Sequence, residues 1–165
     1  MRTAIYAGSF DPVTLGHAWV IEQGVKLFDA LYIGIGINPS KKYMFTLQER
    51  LEMLNAFVDA NSWAINVHLL TFEKEFLVDV AKRIGAQHVL RGIRNAEDFN
   101  FEMGVKLVNE KIAPEIETVF LAPPRNLSEV SSSTVKGLIG CDGWENIAKH
   151  YVPQNVLNKL KQIPT

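Results

Sequence analysis

A doubly wound α/β fold around a five-stranded parallel sheet is the architecture this sequence predicts, and three observations predict it. Five short apolar runs alternate with longer segments of helical periodicity. The second run, Leu-Tyr-Ile-Gly-Ile-Gly-Ile from Leu31 to Ile37, is apolar almost throughout, as suits a strand covered on both faces. The segments richest in chemistry, Gly8 to His17, Asn38 to Lys42, Arg91 to Arg94 and Asn126 to Ser133, all follow expected strand ends. In a parallel sheet with right-handed crossovers those ends share one edge, where ligands bind.

The first strand is expected from Arg2 to Ala7. It leads through Gly8, Asp11 and Pro12 to Gly16-His17 and a helix whose apolar positions are Val20, Ile21, Val25, Leu27 and Phe28. After the second strand, Thr46-Leu-Gln-Glu49 has the spacing of a capping box and starts a helix with Leu47, Leu51, Leu54 and Val58 on one face. Ala64 to Leu70 reads as the third strand. Phe76 to Ile84 reads as a short amphipathic helix closed by Gly85, and Gln87 to Leu90 as a fourth strand ending in Arg-Gly-Ile-Arg. Asn95 suits the cap of a helix over Glu97 to Ile112, which stops before Pro114. Glu117 to Leu121 is the fifth strand, followed by a Pro-Pro loop and a helix start at Ser131 to Ser133. Two short helices follow Gly143, the second opening near Pro153. No repeat, low-complexity tract or linker interrupts the chain, so one domain over residues 1–165 is expected.

Composition narrows the function. Seventeen basic residues against eighteen acidic ones lack the excess that a nucleic-acid surface requires. No apolar run reaches the length of about 18 residues that a membrane span needs, and the N-terminus lacks a signal-peptide pattern, so a cytoplasmic location is expected. The single cysteine, Cys141, excludes an internal disulfide and a Cys-rich zinc site.

Four constellations and one lone acid carry the chemistry. The strand, turn and helix around Gly8 to His17 offer close backbone approach, unpaired helix N–H groups and an imidazole. Asn38-Pro-Ser-Lys-Lys42 puts two ammonium groups on a loop, either as a solvated turn or against an anion. Arg91-Gly-Ile-Arg94 supplies two guanidinium forks, suited to phosphate oxygens or to ion pairs with Glu97 or Asp98. Glu102 lies one turn after Asp98 and suits a ribose, a cationic side chain or solvent. Ser131-Ser-Ser-Thr134 joins four hydroxyls to a helix start; N-capping accounts for one of them and a phosphate cradle for all four.

The order Gly-Ser-Phe-Asp-Pro-Val-Thr-Leu-Gly-His closely resembles the signature of the nucleotidylyltransferase superfamily. With Asn-Pro-Ser-Lys-Lys, Arg-Gly-Ile-Arg-Asn, Asp-Phe-Asn-Phe-Glu-Met and Val-Ser-Ser-Ser-Thr-Val-Lys, nearly the whole chain resembles the phosphopantetheine adenylyltransferases. Nicotinamide-nucleotide adenylyltransferases and glycerol-phosphate cytidylyltransferases share the first block and differ in the later ones. The resemblance implies a Rossmann-like nucleotidylyltransferase fold and transfer of the adenylyl group of ATP to 4'-phosphopantetheine, yielding 3'-dephospho-coenzyme A and pyrophosphate. It implies that Ser9, Lys41, Leu77 and Arg91 contact phosphopantetheine. It further implies that Ser9, Phe10, His17, Gly92, Ile93, Arg94, Glu102, Leu127, Ser128, Glu129, Val130, Ser131, Ser132 and Ser133 contact ATP. His17, Lys41 and Arg91 would carry catalysis, with Mg2+ bound mainly through the ATP phosphates. A homohexamer and feedback inhibition by coenzyme A are also implied. Ser9, Leu15, Phe101 and Gly137 stand where the family more often has threonine, asparagine, tyrosine and an acid. Phe76 and Leu77 suit either a pantetheine contact or a helix core.

Overall fold

The computed structural model describes residues 1–163, so the last two positions of the expected domain lie outside the described residues. Strands β1 (Thr3–Gly8), β2 (Ala30–Ile37), β3 (Val67–Glu73), β4 (His88–Gly92) and β5 (Glu117–Leu121) form one parallel sheet in the order β3-β2-β1-β4-β5. The chain winds outward from β1 to β3, then returns to the other side of β1 for β4 and β5. That reversal makes the β1/β4 junction the topological switch point, where a doubly wound sheet opens a crevice at its carboxyl edge.

Helix α1 (Leu15–Leu27) crosses from β1 to β2, and α2 (Leu47–Asp59) from β2 to β3. Helix α3 (Leu77–Arg83) links β3 to β4, and α4 (Ala96–Ile112) links β4 to β5. A 3-10 turn over Arg125–Leu127 precedes α5 (Ser132–Leu138), α6 (Trp144–Ala148) and α7 (Gln154–Leu160). Both sheet faces are covered. Tyr6, Leu31, Ile33, Ile35 and Leu90 belong to the larger core with α1, α2 and the C-terminal helices; Ile5 and Val89 join the smaller one with Val78, Val80 and Ala81 of α3. Full burial of such aliphatic side chains stabilises the fold by roughly 2 kcal/mol each before entropy is counted. Among the described residues no helix is long and apolar enough to cross a membrane.

Three expectations need correction. The third strand begins three residues later than Ala64, because Ala64 closes a turn whose N–H donates to the Asn61 carbonyl. Arg91 and Gly92 continue β4 instead of following it, paired with Phe120 and Leu121. On α2 the fully buried positions are Arg50, Met53, Leu54 and Phe57, while Leu47, Leu51 and Val58 are only partly buried. The helix is shared between the sheet and α7, from which Lys159 reaches Glu49 at 3.0 Å and Asn155 donates to the Met53 carbonyl.

Candidate functional site

The turn after β1 is fixed before any ligand is considered. Asp11 is 1% exposed, and its carboxylate accepts from the backbone N–H groups of Met44 and Phe45, each at 2.9 Å, and from Lys136 Nζ at 3.1 Å. One buried anion thereby bolts the first motif to the loop after β2 and to α5. The Asp11–Pro12 peptide is cis, and Phe10 has a φ of 48°.

Thr14 then caps α1. Its hydroxyl accepts from the His17 N–H at 3.3 Å, and its own N–H donates to His17 Nδ1 at 3.0 Å. His17 thus fills the place that glutamate takes in a capping box. A backbone N–H can only donate, so Nδ1 keeps its lone pair and the neutral ring carries its proton on Nε2. The ring lies against Phe10, with centroids 5.0 Å apart, and near Tyr6. Burial, and after it the nearby Arg94 guanidinium, push the His17 pKa down to about 4. At neutral pH the side chain is therefore an uncharged Nε2–H donor held in one tautomer. Burial also pushes the Tyr6 phenol upward, so it stays protonated.

Both arginines after β4 are paired. Arg91 holds Glu102 through Nε at 2.7 Å and through a second, short bond from Nη2, while Nη1 donates to the Ala7 carbonyl at 2.9 Å. Three of its five N–H donors are thereby engaged, which fixes the fork and leaves the outer ones for a ligand. Arg94 pairs with Asp98 at 2.8 Å, the ion pair named as the alternative to phosphate binding. Glu102 is 8% exposed, so its solvent-facing alternative is wrong; of the other two, it takes a cationic side chain. Gly92 lets α1 close over this edge, since a Cβ there would meet Val20 Cγ2 at 2.9 Å.

The four hydroxyls of the serine-rich segment are mostly used by the protein itself. Ser131 caps α5 by accepting from the Thr134 N–H, Thr134 Oγ1 reaches the Glu129 carbonyl, and Ser132 Oγ donates to the Pro12 carbonyl. Only Ser133 keeps its hydroxyl free of protein partners among the described residues. The cradle expected from four hydroxyls therefore reduces to one hydroxyl and first-turn N–H groups.

These pieces surround two adjoining cavities. The larger, of about 540 Å³, is lined by Ser9, His17, Lys41, Arg91, Gly92, Arg94, Glu102 and Val130 to Ser133, together with Tyr6, Thr14, Glu97, Asp98 and Phe101. The smaller, of about 280 Å³, is lined by Leu77 with Asn38, Tyr43, Phe72, Lys74 and Glu75. Ala7, Gly8, Ser9, Lys41 and Arg91 line both. Leu77 is half-buried at the smaller cavity, whereas Phe76 is exposed, so neither is fully buried in a helix core.

Five of the anticipated residues do not line either cavity. Phe10 is buried beneath the His17 ring, and Ile93 extends the β4–β5 pairing through its N–H to the Leu121 carbonyl. Leu127, Ser128 and Glu129 form the 3-10 turn and its exit, where Ser128 Oγ bonds the Arg125 carbonyl and Glu129 accepts from Tyr151. Sequence reasoning missed Thr14, although Thr14-x-x-His17 has capping-box spacing. It also missed Tyr6 as a lining residue and Asp11 as the bolt between loops. Among the described residues no group of three His, Cys, Asp or Glu side chains is arranged to hold a metal ion.

Residues 5–138 match the family described as Cytidylyltransferase-like. The chain is 48% identical over 159 residues to a phosphopantetheine adenylyltransferase of Neisseria meningitidis serogroup C, covering 96% of this chain and 92% of that protein. It is 44% identical to the protein of the same name from Chromobacterium violaceum, covering 97% and 96%. Among solved structures it resembles the Plasmodium falciparum nicotinic acid mononucleotide adenylyltransferase complexed with NaAD, with a TM-score of 0.75 at 18% identity, covering 98% of this chain and 95% of that one. At that identity the likeness concerns the fold.

Proposed function

Because the chain belongs to the Cytidylyltransferase-like family, and within it to the phosphopantetheine adenylyltransferases, we propose a division of labour between its two cavities. The reaction is transfer of the adenylyl group of ATP to 4'-phosphopantetheine in coenzyme A biosynthesis. In this reading ATP occupies the larger cavity and the pantetheine arm the smaller. The observation that carries the reading is that Ser9, Lys41 and Arg91 line both, so two cations stand where the cavities meet. That is where an attacking phosphate and the α-phosphorus must approach each other.

A phosphate oxygen of phosphopantetheine attacks the α-phosphorus, forming the new P–O bond while the bond to the β-phosphate oxygen breaks and pyrophosphate leaves. The nucleophile's second pKa of about 6 makes it largely dianionic at neutral pH, so no protein base is needed. Orientation and charge stabilisation supply the rate instead. Lys41 makes no ion pair among the described residues and is free to hold the attacking phosphate. Arg91, oriented by Glu102, adds its outer donors. His17 Nε2–H donates to an α-phosphate oxygen as charge accumulates there. Arg94 turns from Asp98 towards the β- and γ-phosphates, joined by Ser133 and the first-turn N–H groups of α5. Gly92 and Val130 to Ser132 wall the nucleotide; Leu77 contacts the pantetheine arm.

Magnesium enters with ATP. Of the carboxylates along the larger cavity, Asp98 and Glu102 are held by arginines, and only Glu97 makes no ion pair among the described residues. This donor set suits a Mg2+ ion held mainly by phosphate and water oxygens, where it neutralises part of the triphosphate charge. Coenzyme A, which carries both an adenylate and a pantetheine arm, is the proposed feedback inhibitor of the same cavities. A homohexamer is the proposed assembly; Phe99, Phe101, Leu107 and Val108 give α4 an exposed apolar surface suited to contacts between copies. The cytoplasm is the proposed location.

Lys41→Ala tests the division of labour. It is expected to raise KM for phosphopantetheine at least tenfold, the size of a lost charge-assisted hydrogen bond, and leave the ATP Kd within about twofold. An equal loss for both substrates would contradict separate cavities.

A further inference from the structure

We propose that Tyr43 is a positioning residue for Lys41, acting from a platform made by the buried Arg50 guanidinium. The inference rests on the assignment of Lys41 to the attacking phosphate. Lys41 sits on the excursion between β2 and α2, an exposed stretch that has to hold an ammonium group where the two cavities meet. Local bonds shape it: the Ser40 N–H and Oγ donate to Asn38 Oδ1 at 2.9 and 2.7 Å, and the Lys41 N–H donates to the Asn38 carbonyl at 3.0 Å. Its far end is pinned where Met44 and Phe45 donate to Asp11. Its near end is held by the Tyr43 hydroxyl, which accepts from the Asn38 N–H at 2.8 Å. Tyr43 thus closes a ring of backbone with Lys41 inside it.

The phenol is held in place by an unusual neighbour. Arg50 is 2% exposed, and its guanidinium carbon lies 4.1 Å from the Tyr43 ring centroid. No carboxylate pairs with it among the described residues, and its buried Nε has no hydrogen-bond partner. Its Nη1 donates to the Ser9 carbonyl at 2.9 Å. A buried unpaired cation is costly, and an apolar side chain would suit a core position on α2 better. What the guanidinium provides instead is a flat cationic face for the Tyr43 ring and a donor for Ser9. The chain of contacts Ser9–Arg50–Tyr43–Asn38 therefore ties the turn after β1 to the loop that carries Lys41, holding that loop against the edge where the two cavities meet.

The test is a double-mutant cycle on the full-length protein. Tyr43→Phe keeps the ring over Arg50 and removes only the oxygen that accepts from Asn38. It is expected to raise KM for phosphopantetheine about fivefold, in line with one neutral hydrogen bond, with the ATP Kd unchanged and the Tm lowered by no more than about 4 °C. In a Lys41→Ala background the same change is expected to have no further effect. A defective Lys41→Ala enzyme beside an unaltered Tyr43→Phe enzyme overturns the inference, as does a fivefold loss that persists without Lys41. An unaffected Lys41→Ala enzyme overturns the assignment of Lys41 itself, and the positioning role with it.

Discussion

Removing the His17 ring tests the link between helix capping and catalysis. The Thr14 N–H occupies Nδ1, so the only proton the neutral ring offers is on Nε2. With its pKa down to about 4, the free protein at pH 7 carries a charged ring in roughly one molecule in a thousand. The expected contribution is thus that of one neutral, preoriented donor at a developing charge, about 3 to 4 kcal/mol, or a factor of about 10² to 10³ in kcat. His17→Ala should show that loss in steady-state kinetics at saturating substrates, while the ATP Kd measured by calorimetry changes less than tenfold. The imidazole nitrogen shifts of the wild-type protein should report the Nε2–H tautomer at pH 7, and no titration near 6.5. An Nδ1–H tautomer, a titration near 6.5, or a variant that loses ATP binding while keeping its turnover would refute the reasoning.

Other groups allow further predictions. Glu102→Gln leaves Arg91 partly buried without its anion and should cost about 3 kcal/mol in urea denaturation, together with a raised KM for phosphopantetheine. Asp98→Asn removes the carboxylate that competes for Arg94, so the Kd for ATP should tighten about threefold at low salt; weaker binding would assign Asp98 a direct role in the nucleotide site. Because the folded protein holds His17 near pKa 4 against 6.5 in an ordinary imidazole, the unfolded chain binds the extra proton between those values. Stability therefore rises with pH across that window and is lost as pH falls through it, by up to about 3 kcal/mol. Urea midpoints at pH 6.5 and 4.5 should show a smaller difference in His17→Gln than in the wild type.

Much of this was legible in the residues, for identifiable reasons. The central strands announced themselves because parallel strands buried on both faces cannot alternate with polar residues, and Leu31 to Ile37 does not. The cavity lining was legible at the strand-end motifs for Ser9, His17, Lys41 and Arg91, though not for Ile93 or for Leu127 to Glu129, which the backbone uses in pairing and in the 3-10 turn. The side-chain pairings were not. Arg91 chose Glu102, eleven residues away and on the next helix, and Ser132 chose the Pro12 carbonyl across the sheet edge; neither spacing leaves a trace in a linear pattern. The third strand was misplaced because Ala64 is apolar and buried although it belongs to a turn. Arg50 was invisible for the opposite reason: a charged residue on α2 reads as a solvent-facing one, and only the fold brings it under Tyr43.

Pyrophosphate release with ATP and magnesium, followed for 4'-phosphopantetheine beside nicotinamide mononucleotide, and with CTP for glycerol 3-phosphate, tests the central claim most directly. The two-cavity account expects release with phosphopantetheine alone. Release with another acceptor, or none with phosphopantetheine while ATP still binds, would contradict it.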